Sequence, residues 1–433
     1  MTTLTVGNGE QYSTIAAAVT ASHTGDTINV DAGTYTNDVL NISHSLTLQA
    51  VGGTVNLVGT AQPANGKGLI DEGGAGVRVA ITGFDISGAT VKDMNGAGIR
   101  YEGGTLTLSR VNVHDNQNGI LANADANGSI TIANSTFAHN GIGDGQTHNI
   151  YVGAVGSLTV KDSTITAAQV GHDIKSRAAS TTITGNTITD GAAGTASYEI
   201  DLTNGGVGDI ENNFIEKGAN AQNPTAITFG EEGSVYANSG LTVKNNTIVT
   251  NYTAHNSTAV VNRTGATANI SGNQLYGWTA VASGPASVSS NATLASEPTS
   301  SSIAPSAVAT PAPATAVAPD ASSSAAITPD TVAAGSVAPS FMADASASAP
   351  QNPADSPAPP AASDMASQVL ASYTETATPS AAAGWTDGSA QAGAADASTP
   401  LGIQHPHHHG ASPMTDASGQ AAGTTGHVRM HHS

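Results

Sequence analysis

Leu158-Thr-Val-Lys-Asp-Ser-Thr-Ile165 and Leu241-Thr-Val-Lys-Asn-Asn-Thr-Ile248 are nearly the same phrase, and their reading decides the fold. Each is a short alternating apolar strand, a polar bend and a second short strand. Variants stand at Leu106–Val113, Ile130–Phe137, Thr182–Ile188, Asp209–Ile215 and Ala268–Leu275. Between them recurs a second phrase, a small or polar residue before isoleucine: Gly98-Ile99, Gly119-Ile120, Asn149-Ile150, Asp173-Ile174, Glu199-Ile200 and Ala226-Ile227. The isoleucines are 21, 30, 24, 26 and 27 residues apart. Strands this short cannot stand alone, and alternation gives each an inward and an outward side. Like strand recurs a full period later, not across a hairpin, so the pairing between turns is parallel. The arrangement that buries every inward side is an all-β solenoid, with successive turns stacked about 4.8 Å apart.

In that stack Asn186, Asn213, Asn246 and Asn273 occupy equivalent bends, with Asn134 one place early in its copy. Asn tolerates left-handed backbone, and its amide can bond the copies above and below. These asparagines are read as structural. At the start, Tyr12 to Ser22 places Ile15, Ala16 and Val19 on one helical face, with Ser13 as a cap. A short helix there would cover the open end of the first turn.

Composition supports this division and limits function. The 433 residues include 49 glycines, 4% aromatic and 10% charged residues, a net charge of -20 and no cysteine. Disulfides, thiolate catalysis and thiolate zinc sites are excluded. The acidic balance makes nucleic acid and anionic membranes poor partners. No standard signal peptide is visible, and no stretch approaches the roughly 18 apolar residues of a membrane span. The chain changes character at Pro285. Residues 1–285 form the repeat domain. Residues 286–433 are Ala, Ser, Pro and Thr, with one basic residue, Arg429, and ten acidic ones. Such a tail cannot bury enough apolar surface to offset chain entropy, and it reads as disordered. Its histidines, 405, 407, 408, 409, 427, 431 and 432, suit zinc, nickel or copper, or form an adventitious surface cluster.

The opening Gln11-Tyr-Ser-Thr-Ile-Ala-Ala-Ala-Val19, followed by Gly25-Asp-Thr-Ile-Asn-Val-Asp-Ala-Gly-Thr-Tyr35, resembles the start of right-handed parallel β-helix proteins of the pectin-lyase-like superfamily. The resemblance covers about residues 3–283. It implies a right-handed coil and work on polysaccharides, though this superfamily also holds adhesins and phage spikes. The Asp-Pro-His motif of alginate epimerases is absent, as are the Asn-Thr-Asp, Asp-Asp and Gly-His-Gly signatures of polygalacturonases.

If the isoleucines point inward, their neighbours form outward columns: Asn149, Asp173, Glu199 and Ala226 on one side, Tyr151, Lys175, Asp201 and Thr228 on the other. Arg177 lies two residues beyond Lys175, and His148 and His172 precede the strands at matching positions. This concentration of charge suits sugar-acid chemistry. Lys175 or Arg177 would offset a uronate carboxylate, His172 or Lys175 would take the proton at C5, and Tyr151 would donate to the leaving oxygen. Asp201 completes the candidate catalytic set. His148, Asn149, Arg177, Tyr198, Glu199 and Asn204 are the candidate substrate contacts. Asp173, Glu199 and Asp201 are candidate calcium ligands. Hydrolysis by paired carboxylates, Asp173 with Asp201 or Glu199, is a second route. Of the adjacent Glu231 and Glu232, only one can aim into the face, and Glu231 is the weaker choice. The expectation is a monomeric, extracellular or cell-surface enzyme cleaving an acidic polysaccharide, by elimination before hydrolysis. The alternative is a non-catalytic carbohydrate-binding or attachment rod.

Overall fold

The computed structural model describes residues 1–298 apart from 192, 254 and 255. Of the tail expected to be disordered, residues 299–433 with all its histidines lie outside the described residues. The described chain is a right-handed parallel β-helix. A ten-stranded sheet runs from Leu40–Ile42 to Ala280–Ser283. A 21-stranded sheet makes the rest of the wall. The long early strands Asp26–Thr36 and Leu46–Val58 run through a bend and join its two faces into one hydrogen-bonded network.

Every strand pair is parallel, and the ten-stranded sheet keeps one register. Ile99, Ile120, Ile150, Ile174, Ile200, Ile227 and Val260 stack as direct partners, and all are fully buried. Burying one such side chain stabilises the fold by roughly 1.5–3 kcal/mol, so the column is a main source of cohesion. Strand residues Tyr151, Lys175, Asp201 and Thr228 form the adjoining column, as the isoleucine spacing predicts.

The asparagine ladder is present with one change. Asn186, Asn213, Asn246 and Asn273 each give backbone N–H and side-chain amide to the next asparagine's Oδ1, at 2.8–3.0 Å, ending on Asn291. Each amide also donates back to a carbonyl one turn earlier: Val160, Ile183, Ile210 and Val243. The left-handed residue is the one before the ladder asparagine: Gly185, Asn212, Asn245 and Gly272 have φ of 68°, 57°, 55° and 70°. Asn134 is such a residue, and Ser135 holds its ladder place. The ladder thus divides its labour: one residue turns the chain and the next pairs it.

Helix Ile15–Ala21 covers the first turn with Ile15, Ala18 and Val19 buried. Its cap is Thr14, not Ser13: Thr14 Oγ1 accepts from Ala17 N, and Asp38 accepts from Ile15 N and Ala16 N. Strands continue to Ala292–Thr293, past the change of composition at Pro285. No helix among the described residues is long and apolar enough to cross a membrane.

Candidate functional site

The site lies where three consecutive strands, Ile150–Val152, Ile174–Ser176 and Ile200–Leu202, present their outward residues. Register makes Tyr151 the partner of Lys175, and Lys175 the partner of Asp201. Arg177 follows the middle strand and returns over the face. Its Nε donates to Tyr151 Oη at 2.9 Å and its Nη1 to Asn204 Oδ1 at 2.7 Å. Tyr236 Oη donates to the Arg177 carbonyl at 2.7 Å. Lys175 Nζ lies 2.7 Å from Glu232 Oε1 and 3.9 Å from Asp201 Oδ2. Glu232 Oε2 accepts from Arg177 Nη2.

Beside this column runs an aromatic one. His148, His172 and Tyr198 sit at equivalent corners, with ring centroids 4.8 Å and 5.1 Å apart, near the strand spacing. Tyr151 stacks on His148 at 5.6 Å. His148 Nδ1 accepts the backbone N–H of His172 at 2.9 Å, which places the His148 proton on Nε2. His172 Nε2 faces Asp201 Oδ2 at 3.5 Å.

Burial sets the protonation states. It pushes His148 down to about 3, with nearby Lys175 adding to the effect. His172 is likewise well below its ordinary value through burial, His148 and Lys175. Both rings are therefore neutral at ordinary pH. Burial pushes Asp201 up to about 7 against the pull of Lys175. Burial would also raise Glu232, but its bonds to Lys175 and Arg177 hold it below its usual value. The face thus carries two cations, one firm carboxylate, one carboxyl that titrates near neutrality, two neutral imidazoles and the phenols of Tyr151 and Tyr198.

The structure brings together Tyr151, His148, His172, Lys175, Arg177, Tyr198, Asp201 and Asn204. It removes three expected members. Asn149, Asp173 and Glu199 are fully buried and do not form an outward column. Each stands one residue before its strand begins, where the corner turns the side chain inward and the alternation rule does not yet apply. Asn149 donates to Thr166 O and Asp173 Oδ1, and Asp173 Oδ1 also accepts from Ala168 N. Glu199 pairs inside the coil with Lys217 at 3.2 Å. Asn149 and Glu199, expected as substrate contacts, are thus closed off from the outer face. The calcium set fails for the same reason: Asp173 and Glu199 face the interior, whereas Asp201 lies among Lys175, Glu232 and Arg177. Among the described residues no group of three His, Cys, Asp or Glu is placed to hold a metal ion.

Lys217, Tyr236 and the full part played by Glu232 escaped the sequence reading. Alternation from Ile215 puts Lys217 on the inward side of Phe214–Lys217, and that signal was available. Tyr236 and Glu232 arrive from the loop after Thr225–Phe229, whose path no periodicity dictates. Glu231 accepts from Thr228, the next member of the outward column, and pairs with Arg263 rather than with Lys175 or Arg177.

Residues 118–294 match the family model described as right handed beta helix region. Among solved structures, the chain is similar to an alginate lyase from Paenibacillus sp. str. FPU-7: 17% identity over 66% of this chain and 99% of that one, TM-score 0.46. A lacto-N-biosidase from Eubacterium ramulus is 10% identical over 67% of this chain and 68% of that one, TM-score 0.43. The A-module of a mannuronan C-5 epimerase from Azotobacter vinelandii is 14% identical over 66% and 95%, TM-score 0.33. No curated protein matches the chain. The family model, together with the parallel register of the strands, bears out the right-handed parallel β-helix implied by the opening phrase.

Proposed function

We propose that this chain cleaves an acidic, uronate-containing polysaccharide by β-elimination on the outer face around Lys175. The observation that carries the reading is the register triplet Tyr151, Lys175 and Asp201, with the Arg177 guanidinium bonded to the Tyr151 phenol. It supports a reading in which two cations and a hydroxyl donor, with the neutral His172 imidazole beside Asp201, act on one sugar. Lys175 and Arg177 take the uronate carboxylate and stabilise the charge that develops when C5 loses its proton. His172 accepts that proton. The electron pair forms the C4–C5 double bond as the C4–O bond breaks, and Tyr151 gives its proton to the departing oxygen. Solvent then removes the proton from His172 and restores that of Tyr151. Ionised Asp201, 3.5 Å from the ring, favours the imidazolium.

A second reading is supported by the carboxylates. Asp201 titrates near 7 while Glu232 is held low, and both contact the Lys175 ammonium. One carboxyl kept protonated beside one kept ionised is the pairing that glycoside hydrolysis uses. We place the protein outside the cell or at its surface, acting as a monomer.

Digestion of a broad glycan panel tests the proposal. Unsaturated ends on a polyuronate support elimination. New reducing ends without unsaturation favour hydrolysis. Neither product from any glycan refutes both and leaves a face that only binds.

A further inference from the structure

We infer that Glu232 occupies the seat of the substrate's own carboxylate, and that the site therefore selects free rather than esterified uronates. The inference rests on the acidic-glycan reading above and specifies its substrate class. The Glu232 carboxylate bridges two cations, one oxygen on Lys175 Nζ and the other on Arg177 Nη2. That is the arrangement a planar carboxylate adopts when it is recognised by charge-assisted bonds at both oxygens.

The two sides of this bridge are unequal. The Glu232 side chain is 41% exposed, against 14% for Lys175 and 22% for Arg177. Arg177 keeps Tyr151 and Asn204 as partners without Glu232, and Lys175 keeps Asp201. The cations are thus fixed from below, whereas their bridging partner is held from the solvent side. The Glu232 backbone N–H is anchored to Thr203 O at 2.9 Å, and Gly230 and Gly233 make the turn with φ of 80° and 91°. Side-chain rotation alone vacates the seat, and the loop need not move.

An incoming group must replace what Glu232 supplied. A uronate carboxylate does so oxygen for oxygen. A methyl ester or a neutral hexose brings no charge in place of Glu232, leaving part-buried Arg177 with neutral partners and Lys175 with only the more distant Asp201, which is costly. Glu232 then acts as a resident competitor that sets a threshold for binding and keeps the cations apart from weaker anions.

Titration calorimetry on the full chain tests this, with oligogalacturonate, oligomannuronate and oligoguluronate as probes and their methyl esters as controls. Glu232→Gln and Glu232→Ala are expected to bind a free oligouronate about tenfold more tightly than wild type, roughly 1.4 kcal/mol, and the esters no better. Glu231→Gln removes the same charge from the adjacent residue, which bonds Arg263 and Thr228 instead. It is expected to change affinity less than twofold. Equal or weaker binding by both Glu232 variants overturns the seat, as does an equal gain with Glu231→Gln. A lack of binding by every probe to every variant, with no turnover of any glycan, overturns the acidic-glycan reading itself and the seat with it.

Discussion

Lys217 Nζ lies 3.2 Å from Glu199 Oε1 inside the coil, and neither side chain has any exposure to solvent. Lys217 also donates to Ser197 O at 2.6 Å, in the corner that carries Tyr198 against His172. The pair therefore supports the candidate site from within. Burial pushes the Glu199 carboxyl well above its usual range, and Lys217 offsets part of that rise. Removing one partner of such a buried pair typically costs about 3–5 kcal/mol, whereas removing both often costs little. Lys217→Met is expected to lose stability on that scale in urea unfolding, and Lys217→Met with Glu199→Leu to regain most of it. Additive losses would show that the two residues do not act as a pair.

Stability should fall as pH rises from about 5 to 8. Burial lifts several native carboxyls: Glu72 and Asp173 to about 8, Asp201 to about 7 and Asp190 to about 6, with Glu199 and Asp71 also raised. In the unfolded chain each ionises near 4. Between those values the native state binds more protons, so its advantage is complete below about 4 and is lost as pH climbs through the folded values. Thermal melts are expected to give a higher Tm at pH 5 than at pH 8. Glu72, whose two carboxyl oxygens have no hydrogen-bond partner among the described residues, should contribute strongly. Glu72→Gln is expected to flatten the dependence, and an unchanged slope would count against its assignment.

Asn213 makes four side-chain hydrogen bonds in the ladder, with Asn186 N and Nδ2, Asn246 Oδ1 and Ile183 O. Asn213→Ala leaves buried donors and an acceptor unpaired, at about 1–3 kcal/mol each. A loss of at least about 3 kcal/mol is expected by chemical denaturation. Asn213→Ser should cost less, because Ser163 fills the equivalent place, accepting from Ser135 N and donating to Lys161 O. Equal losses for the two variants would mean that the amide, not the ladder acceptor, carries the effect.

The columns of the coil were legible because parallel stacking converts a sequence interval directly into a neighbour. Ile150, Ile174 and Ile200 set the register, and Tyr151, Lys175 and Asp201 follow from it. Asn149, Asp173 and Glu199 were placed wrongly because they precede their strands, and a period of two has no authority at a corner. Asn204 was anticipated, but Glu232 was only half resolved and Tyr236 missed, since a loop's path depends on contacts that no local pattern encodes. The interior Lys217 shows the opposite error: its parity pointed inward, but a lysine is an improbable core residue until its partner is known.

Asp201 gives the two catalytic readings opposite pH profiles. Elimination needs it ionised beside His172, so kcat/KM should rise as pH passes through about 7. Hydrolysis needs it protonated as the acid, so the rate should fall over the same interval. Profiles on one polyuronate, with Asp201→Asn as the reference, distinguish them. A profile flat across pH 6–8 would remove Asp201 from either mechanism.

The most direct test follows unsaturated ends released from polyuronates by wild type and Lys175→Ala under identical conditions. Wild type is expected to generate them, and the variant, with its fold intact by circular dichroism, to lose at least about a hundredfold in kcat/KM, on the scale of one electrostatic catalytic group. Full activity in Lys175→Ala, or no unsaturated product from wild type on any polyuronate, would contradict the assignment of this face to acidic-glycan elimination.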